Sequence, residues 1–76
     1  MEWRERIHSD PKILSGKPVV VGTRLSVEFL LRLFAAGWTG DQVLRNYPNL
    51  KPEDLRAVFA YAAETAHEER GLTLRP

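Results

Sequence analysis

The sequence predicts a mainly α-helical domain in which an N-terminal β-arm or hairpin precedes a bundle of three helices. Three observations lead to this prediction. Residues 1–25 contain short extended patterns broken by turn residues, residues 26–36 carry apolar side chains at helical spacing, and a helix-capping pattern at Thr39 opens two further helices. With 76 residues the chain is long enough for one domain, and we expect a single domain over residues 1–76.

The first 25 residues are expected to form the β-arm. Between Trp3 and His8, basic residues occupy every second position, which is the period of an extended strand with one basic face. Pro11 interrupts this strand because it has no amide hydrogen to donate. Residues 15–18 (Ser-Gly-Lys-Pro) are typical of a turn, and the β-branched residues 19–21 that follow predict a second strand.

The first helix is predicted from Ser26 onward. Ser26 is a suitable N-cap because its hydroxyl can accept a backbone N–H of the first turn. Two apolar stripes follow at helical spacing, Val27, Leu30, Leu31 and Phe34 in one and Phe29 with Leu33 in the other. A helix that is apolar on two sides is expected to be buried on two sides. Gly37 suits the left-handed position after the helix, with Trp38 folding back on Leu33.

Two more helices are predicted after Gly37. Thr39 and Gln42 form a capping-box pattern, and Pro48 ends the short helix that it opens. Pro52 suits the first position of a third helix, which we expect to run to about Glu69, before Gly71 and a tail over residues 71–76. Its predicted inner face consists of Leu55, Val58, Phe59, Ala62, Ala63 and Ala66. This is the outline of a tri-helical helix-turn-helix unit over residues 26–70, although any small three-helix bundle shows the same outline.

Composition excludes several classes of protein. There is no cysteine, so disulfides and thiolate metal sites are excluded, which fits a reducing compartment such as the cytoplasm. The apolar runs are too short to span a bilayer and the first 20 residues lack the pattern of a signal peptide, so we expect a cytoplasmic protein without a membrane partner. A net charge of +1 gives no bulk attraction to nucleic acid. A core of this size stabilises a domain weakly, which favours a homodimer.

Short motifs follow one another in a fixed order between Ile7 and Ala63. They are Asp10-Pro11, Gly16-Lys17-Pro18-Val19-Val20, Gly22-Thr23-Arg24-Leu25, Gly37, Tyr47-Pro48 with Leu50, and Glu53-Asp54-Leu55. In this order and spacing they resemble the domain of unknown function 433 family of short bacterial and archaeal proteins. The resemblance implies a homeodomain-like tri-helical fold with an N-terminal β-arm, and an association with dimers. Many members resemble VapB-type antitoxins encoded beside a PIN-like ribonuclease toxin.

Two positions depart from the family's pattern. The family usually has Thr or Ser before the last helix, where this chain has Lys51, and it often has Gly where this chain has Ser15. Lys51 offers no side-chain oxygen to accept an amide hydrogen of the helix. We expect neither departure to change the fold strongly.

No group of residues in the sequence predicts catalysis. Gly16-Lys17 is followed by Pro18 and a strand, so this segment is typical of a turn and not of a phosphate-binding loop. The two histidines, His8 and His67, lack the further ligands that a zinc site needs, and we expect both on the surface. The sequence therefore predicts a protein that is not an enzyme and has no cofactor and no metal.

Protein binding is the first functional hypothesis. The apolar and aromatic residues exceed what a three-helix core of this length needs, and aromatic residues are common anchors of interfaces. The residues that we expect in a homodimer or partner interface are Trp3, Ile7, Val19, Val21, Phe29, Leu33 and Trp38. Together with the resemblance, this predicts a dimeric antitoxin-like module that neutralises a PIN-like ribonuclease toxin and has an additional role in repressing its own operon.

DNA binding by a stand-alone helix-turn-helix regulator is the alternative hypothesis. The third helix begins with Glu53 and Asp54, which would repel phosphate, so the basic face of the arm is the better candidate for contacts to DNA. The candidate residues are Arg4, Arg6, Lys12, Lys17 and Arg24. The same residues also suit solvated positions on an edge strand, where charge prevents unwanted strand pairing.

Overall fold

The structure, a computed structural model, describes residues 1–68. Two antiparallel strands, β1 (Ile7–Ser9) and β2 (Pro18–Val20), precede three helices, α1 (Val27–Ala35), α2 (Gly40–Asn46) and α3 (Pro52–Glu68). The predicted fold, three helices after an N-terminal hairpin, is confirmed. Three predicted features lie outside the described residues: the end of the third helix at Glu69, Gly71 after it, and the tail over residues 71–76.

The hairpin begins later than the alternating pattern indicated. β1 pairs with β2 in the register Ile7 with Val20, His8 with Val19, and Ser9 with Pro18. Residues 3–5 form a 3-10 turn instead of a strand, because the Arg6 N–H donates to the carbonyl of Trp3 at 2.8 Å. The prediction of an extended strand from Trp3 is therefore wrong. This turn packs against α3, a distant contact that alternation along the chain does not report.

The caps of α1 form as predicted. The Ser26 hydroxyl accepts the N–H of Phe29 at 2.9 Å. After the helix, Gly37 has a φ of +102°, in the left-handed region that favours glycine. This allows the Gly37 N–H to donate to the carbonyl of Phe34 at 3.0 Å and the Trp38 N–H to donate to that of Leu33 at 3.1 Å. These bonds satisfy carbonyls that the helix end would otherwise leave without a donor.

The next two helices are also set by local hydrogen bonds. The capping box of α2 is complete, with the Thr39 hydroxyl accepting the N–H of Gln42 and the Gln42 amide oxygen accepting the N–H of Thr39. At α3, Lys51 precedes the first helical residue Pro52, and its side chain cannot cap the helix. Asp54 compensates in part, because its Oδ2 atom accepts the N–H of Lys51 at 2.9 Å.

Asp54 also joins the hairpin to the helices. The guanidinium of Arg6 donates to Asp54 Oδ1 at 2.9 Å, and the carboxylate is only 10% exposed. Both of its oxygens thus have a donor, one from the hairpin and one from the turn before α3. A carboxylate this deeply buried is tolerated because it is both hydrogen-bonded and charge-paired.

The core lies where the hairpin, α1, α2 and the first half of α3 meet. Its buried apolar residues are Ile7, Val20, Val27, Leu30, Val43, Leu50, Leu55, Ala57 and Val58. The predicted inner face of α3 is correct for Leu55 and Val58 and wrong for Phe59, which is 46% exposed, and for Ala63 and Ala66. The N-terminal turn packs against α3, where Ala57 is fully buried and the half-buried Tyr61 contacts Trp3.

Ser15 provides a test of the hairpin loop. Its φ of +57° is in the left-handed region, which costs an L-residue about 1–2 kcal/mol and glycine very little. Part of this gain is offset by the greater freedom of glycine in the unfolded chain, so we expect Ser15→Gly to raise the free energy of unfolding by about 0.5 kcal/mol. Urea denaturation measures this change.

Ser9→Gly is the matched control. Ser9 is an exposed residue of β1 with extended backbone, so glycine should lower the free energy of unfolding there by about 0.5–1 kcal/mol. Equal destabilisation by both substitutions would contradict the left-handed conformation of Ser15.

Candidate protein-binding surface

An apolar groove of about 470 Å³ runs beside α1. One wall is formed by Val27, Leu31 and Ala35, which follow one another at every fourth position of the helix. The opposite wall contains Pro18 of β2 and Tyr61 of α3, so three elements of the fold contribute to the groove. Its volume and its mostly apolar lining are within the range of concave sites that bind another molecule.

Charged side chains form the rim of this groove. Glu28 accepts from Lys17 Nζ at 3.2 Å through Oε1 and from Arg32 Nη2 at 2.9 Å through Oε2. The hydrogen bond and charge of Lys17, followed by those of Arg32, hold the pKa of Glu28 below its usual value. All three side chains are more than half exposed, so their pairing contributes little to stability and their charges face whatever approaches the groove.

The N-terminal turn supports the Tyr61 wall. The Trp3 ring lies edge-on to Tyr61 with 4.9 Å between centroids, and its indole N–H donates to Glu64 Oε1 at 2.8 Å. Arg4 donates to Glu64 Oε2 at 3.1 Å, and its guanidinium lies 4.6 Å from the centre of the Trp3 ring. The hydrogen bond from Trp3 and then the charge of Arg4 lower the pKa of Glu64. This cluster joins the start of the chain to the second half of α3.

Two phenylalanines expose apolar surface outside the groove. Phe29 is 39% exposed and lies edge-on to Tyr47, with 5.9 Å between ring centroids. Phe59 contacts Phe34 at 4.9 Å and is nearly half exposed. Each ring is thus held by one aromatic neighbour while leaving part of its area to solvent, which is the usual condition of an interface anchor.

The predicted interface residues are divided between the interior and the surface. Ile7 and Val19 are buried inside the single chain, at 4% and 0% exposure, so they belong to its core and not to an accessible surface. Trp3, Leu33 and Trp38 are half-buried against that core. Val21 and Phe29 are exposed. The groove residues Leu31, Ala35, Pro18 and Tyr61 were missed, although the four-residue spacing of Val27, Leu31 and Ala35 was a signal for a continuous apolar side of α1.

The predicted basic face does not form a free patch. Arg4 is paired with Glu2 and Glu64, Arg6 with Asp54, and Lys17 with Glu28. Lys12 and Arg24 are exposed and take part in no ion pair within residues 1–68. Most of the cations of the arm thus form ion pairs with carboxylates of α1 and α3.

No three His, Asp or Glu side chains of residues 1–68 come close enough together to hold a metal ion. None of the helices described is long and apolar enough to cross a membrane.

The sequence matches the family described as "Protein of unknown function (DUF433)" over residues 7–62. The chain belongs to the DUF433 family. This confirms the resemblance that the short motifs indicated. The DUF433 chain is similar to the uncharacterized protein y4eO of Sinorhizobium fredii (strain NBRC 101917 / NGR234), with 41% identity over 59 residues. That match covers 78% of this chain and 27% of the relative, so the chain spans about a quarter of y4eO.

A crystal structure of a DUF433 member from Anabaena variabilis is also similar to this chain. The TM-score is 0.77 and the sequences are 28% identical, and the match covers 83% of this chain and 62% of the other. The three-helix fold with its hairpin is therefore shared within the family. Because the family is described as one of unknown function, the function must be inferred from the chemistry of the surface itself.

Glu64 provides a test of the contact between the N-terminal turn and α3. Its folded-state pKa is lowered, so its contribution to stability is present above the ordinary glutamate pKa of about 4.3 and is lost as the pH falls through the folded-state value. We expect the free energy of unfolding to fall between about pH 5 and pH 3, and to fall less in Glu64→Gln. Glu28→Gln should also reduce the fall, because the pKa of Glu28 is lowered by Lys17 and Arg32.

Urea denaturation at a series of pH values measures both effects. An unchanged pH dependence in the double variant Glu28→Gln/Glu64→Gln would show that these carboxylates are unpaired in solution.

Proposed function

We propose that this chain is a homodimeric protein-binding module of the antitoxin type, which binds and neutralises a PIN-like ribonuclease toxin in the cytoplasm. The observation that carries the proposal is the apolar surface that the folded chain leaves uncovered, namely the groove beside α1 and the rings of Phe29 and Phe59. The resemblance to VapB-type antitoxins supplies the class of partner.

Physical chemistry supports protein binding as the role of this surface. Burial of apolar area drives most protein association, and a few aromatic anchors carry much of the binding energy. A domain of 76 residues gains little net stability from its own core, so it benefits from burying more area against a partner. Neutralisation then follows from steric occlusion, because a bound module covers the toxin's acidic metal site or its RNA groove.

We also propose that the chain is not an enzyme. The two carboxylates that bind the N-terminal segment to α3 already have donors, since Asp54 accepts from Arg6 and the Lys51 amide, and Glu64 accepts from Trp3 and Arg4. The lowered pKa of Glu64 also makes it a poor proton donor or acceptor near neutral pH.

Co-expression with the product of the neighbouring gene tests the proposal. We expect the two proteins to co-purify and growth inhibition by the toxin to be relieved. Phe59→Ser removes an exposed ring without opening the core and should weaken the complex about tenfold or more. Arg45→Ser, also an exposed helical position, is the matched control and should bind as the wild type does.

The absence of both a complex and any relief of toxicity contradicts the proposal. Thermal unfolding of each variant, followed by circular dichroism, separates loss of binding from loss of folding.

A DNA-binding regulator is the second candidate function, and one observation favours it. Among residues 1–68, five exposed cations take part in no ion pair: Lys12, Arg24, Arg45, Lys51 and Arg56. Three of these lie close together in sequence, Arg45 on α2, Lys51 in the turn after it and Arg56 on α3. Unpaired cations on a helix-turn-helix unit are suited to contact phosphates. This placement differs from the arm that the sequence indicated.

Fluorescence anisotropy with duplexes from the upstream region tests this candidate over a series of salt concentrations. If these cations contact phosphates, log affinity falls linearly with log salt, and Lys51→Glu with Arg56→Glu weakens binding to every sequence. Arg4→Gln is the control, because Arg4 is already paired with Glu2 and Glu64. Glu64 is not a suitable control, since it holds Arg4. Weak binding that does not depend on salt contradicts DNA binding.

A further inference from the structure

We propose that the groove beside α1 receives α1 from a second copy of this chain, with the two helices antiparallel about a two-fold axis. The inference rests on the proposed homodimer and names the surface that forms it. Three observations carry it: the dimensions of the groove, the charges on its rim, and the small size of the chain.

The groove matches the helix that borders it. Val27, Leu31 and Ala35 extend along it for two helical turns, about 12 Å at the usual rise per residue. α1 has nine residues, so the apolar side of a second α1 can follow this stretch along its whole length. Pro18 and Tyr61 also line the groove, and the Trp3 ring packs edge-on against Tyr61. The small side chain of Ala35 allows a close approach at one end of the contact.

Two of the three charges of the rim, those of Glu28 and Arg32, are complementary to the same pair in a second copy, while Lys17 stays paired with Glu28 of its own chain. Glu28 and Arg32 lie four residues apart on the exposed side of α1. Across a two-fold axis, a contact from one position to another is repeated in reverse. An antiparallel crossing centred near residue 30 therefore brings Glu28 close to the partner's Arg32, and Arg32 close to the partner's Glu28. A parallel arrangement would place like charges together, so the charge pattern selects the antiparallel one.

A second copy satisfies these conditions together. It supplies a helix of matching length, an apolar side formed by the same residues, and charges of the correct sign at both contacts. It also gives a chain of 76 residues the additional buried area that a core of this size lacks. The surface formed by Phe34 of α1 and Phe59 of α3 does not line this groove and stays available to a different protein.

Charge reversal tests the arrangement. We expect sedimentation velocity and native mass spectrometry to show a dimer for the wild type and a dissociation constant raised about tenfold or more for Glu28→Arg alone and for Arg32→Glu alone. An equimolar mixture of the two single variants should form a heterodimer, because each Arg then faces a Glu. The double variant Glu28→Arg/Arg32→Glu should again form a homodimer.

The mixture also controls for folding, since only folded chains can restore the dimer. Reversal of Asp41 and Arg45, an exposed acid and base with the same spacing on α2, is the matched control and should leave the dimer unchanged. A monomeric wild type overturns the inference. So does a wild-type dimer that neither single variant weakens, or a mixture that forms no heterodimer. In these last two cases the proposed antitoxin function stands, because co-purification with the toxin tests it separately.

Discussion

The Asp54 carboxylate is the point at which the hairpin, the turn after α2 and the start of α3 are held together. One oxygen accepts from Arg6 and the other from the Lys51 amide, each at 2.9 Å. The group is almost fully buried, and a buried carboxylate without such donors would destabilise the fold strongly. The position of the hairpin against the helices therefore depends on this one side chain as well as on the apolar core.

The position of the hairpin in turn determines the shape of the groove. β2 contributes Pro18 to one wall, and the segment before it contributes Lys17 to the rim. The N-terminal turn places Trp3 against Tyr61, which completes the same wall from α3. A surface that looks local to α1 thus depends on contacts made by both ends of the described chain. For this reason the groove is a property of the whole domain and not of one helix.

The apolar area that the domain leaves exposed is informative about its function. Phe29 and Phe59 are each held by a single aromatic neighbour and are 39% and 46% exposed. Meanwhile most of the arm's cations are neutralised by carboxylates of the same chain. The chain thus leaves apolar area exposed, while most cations of its arm are paired with its own carboxylates. This combination favours association with protein. These two observations are the physical basis for proposing a protein-binding role for this member of the family.

The sequence by itself determined the elements whose hydrogen bonds close within a few residues. The N-cap at Ser26, the capping box of Thr39 and Gln42, and the left-handed Gly37 follow from side chains and backbone atoms no more than five residues apart. Motif spacing was also sufficient to indicate the family, since the match over residues 7–62 contains the same motifs.

Only the tertiary structure decided which residues face solvent and which cations are free. Arg6 meets Asp54 48 residues away, and Trp3 meets Glu64 61 residues away, so no local pattern reports either pairing. The same holds for Phe59, Ile7 and Val19, whose exposure depends on which side of α3 the N-terminal turn covers and on where the hairpin packs. The periodicity of a helix or strand shows that one side is apolar, but the packing of distant segments determines how much of that side is covered.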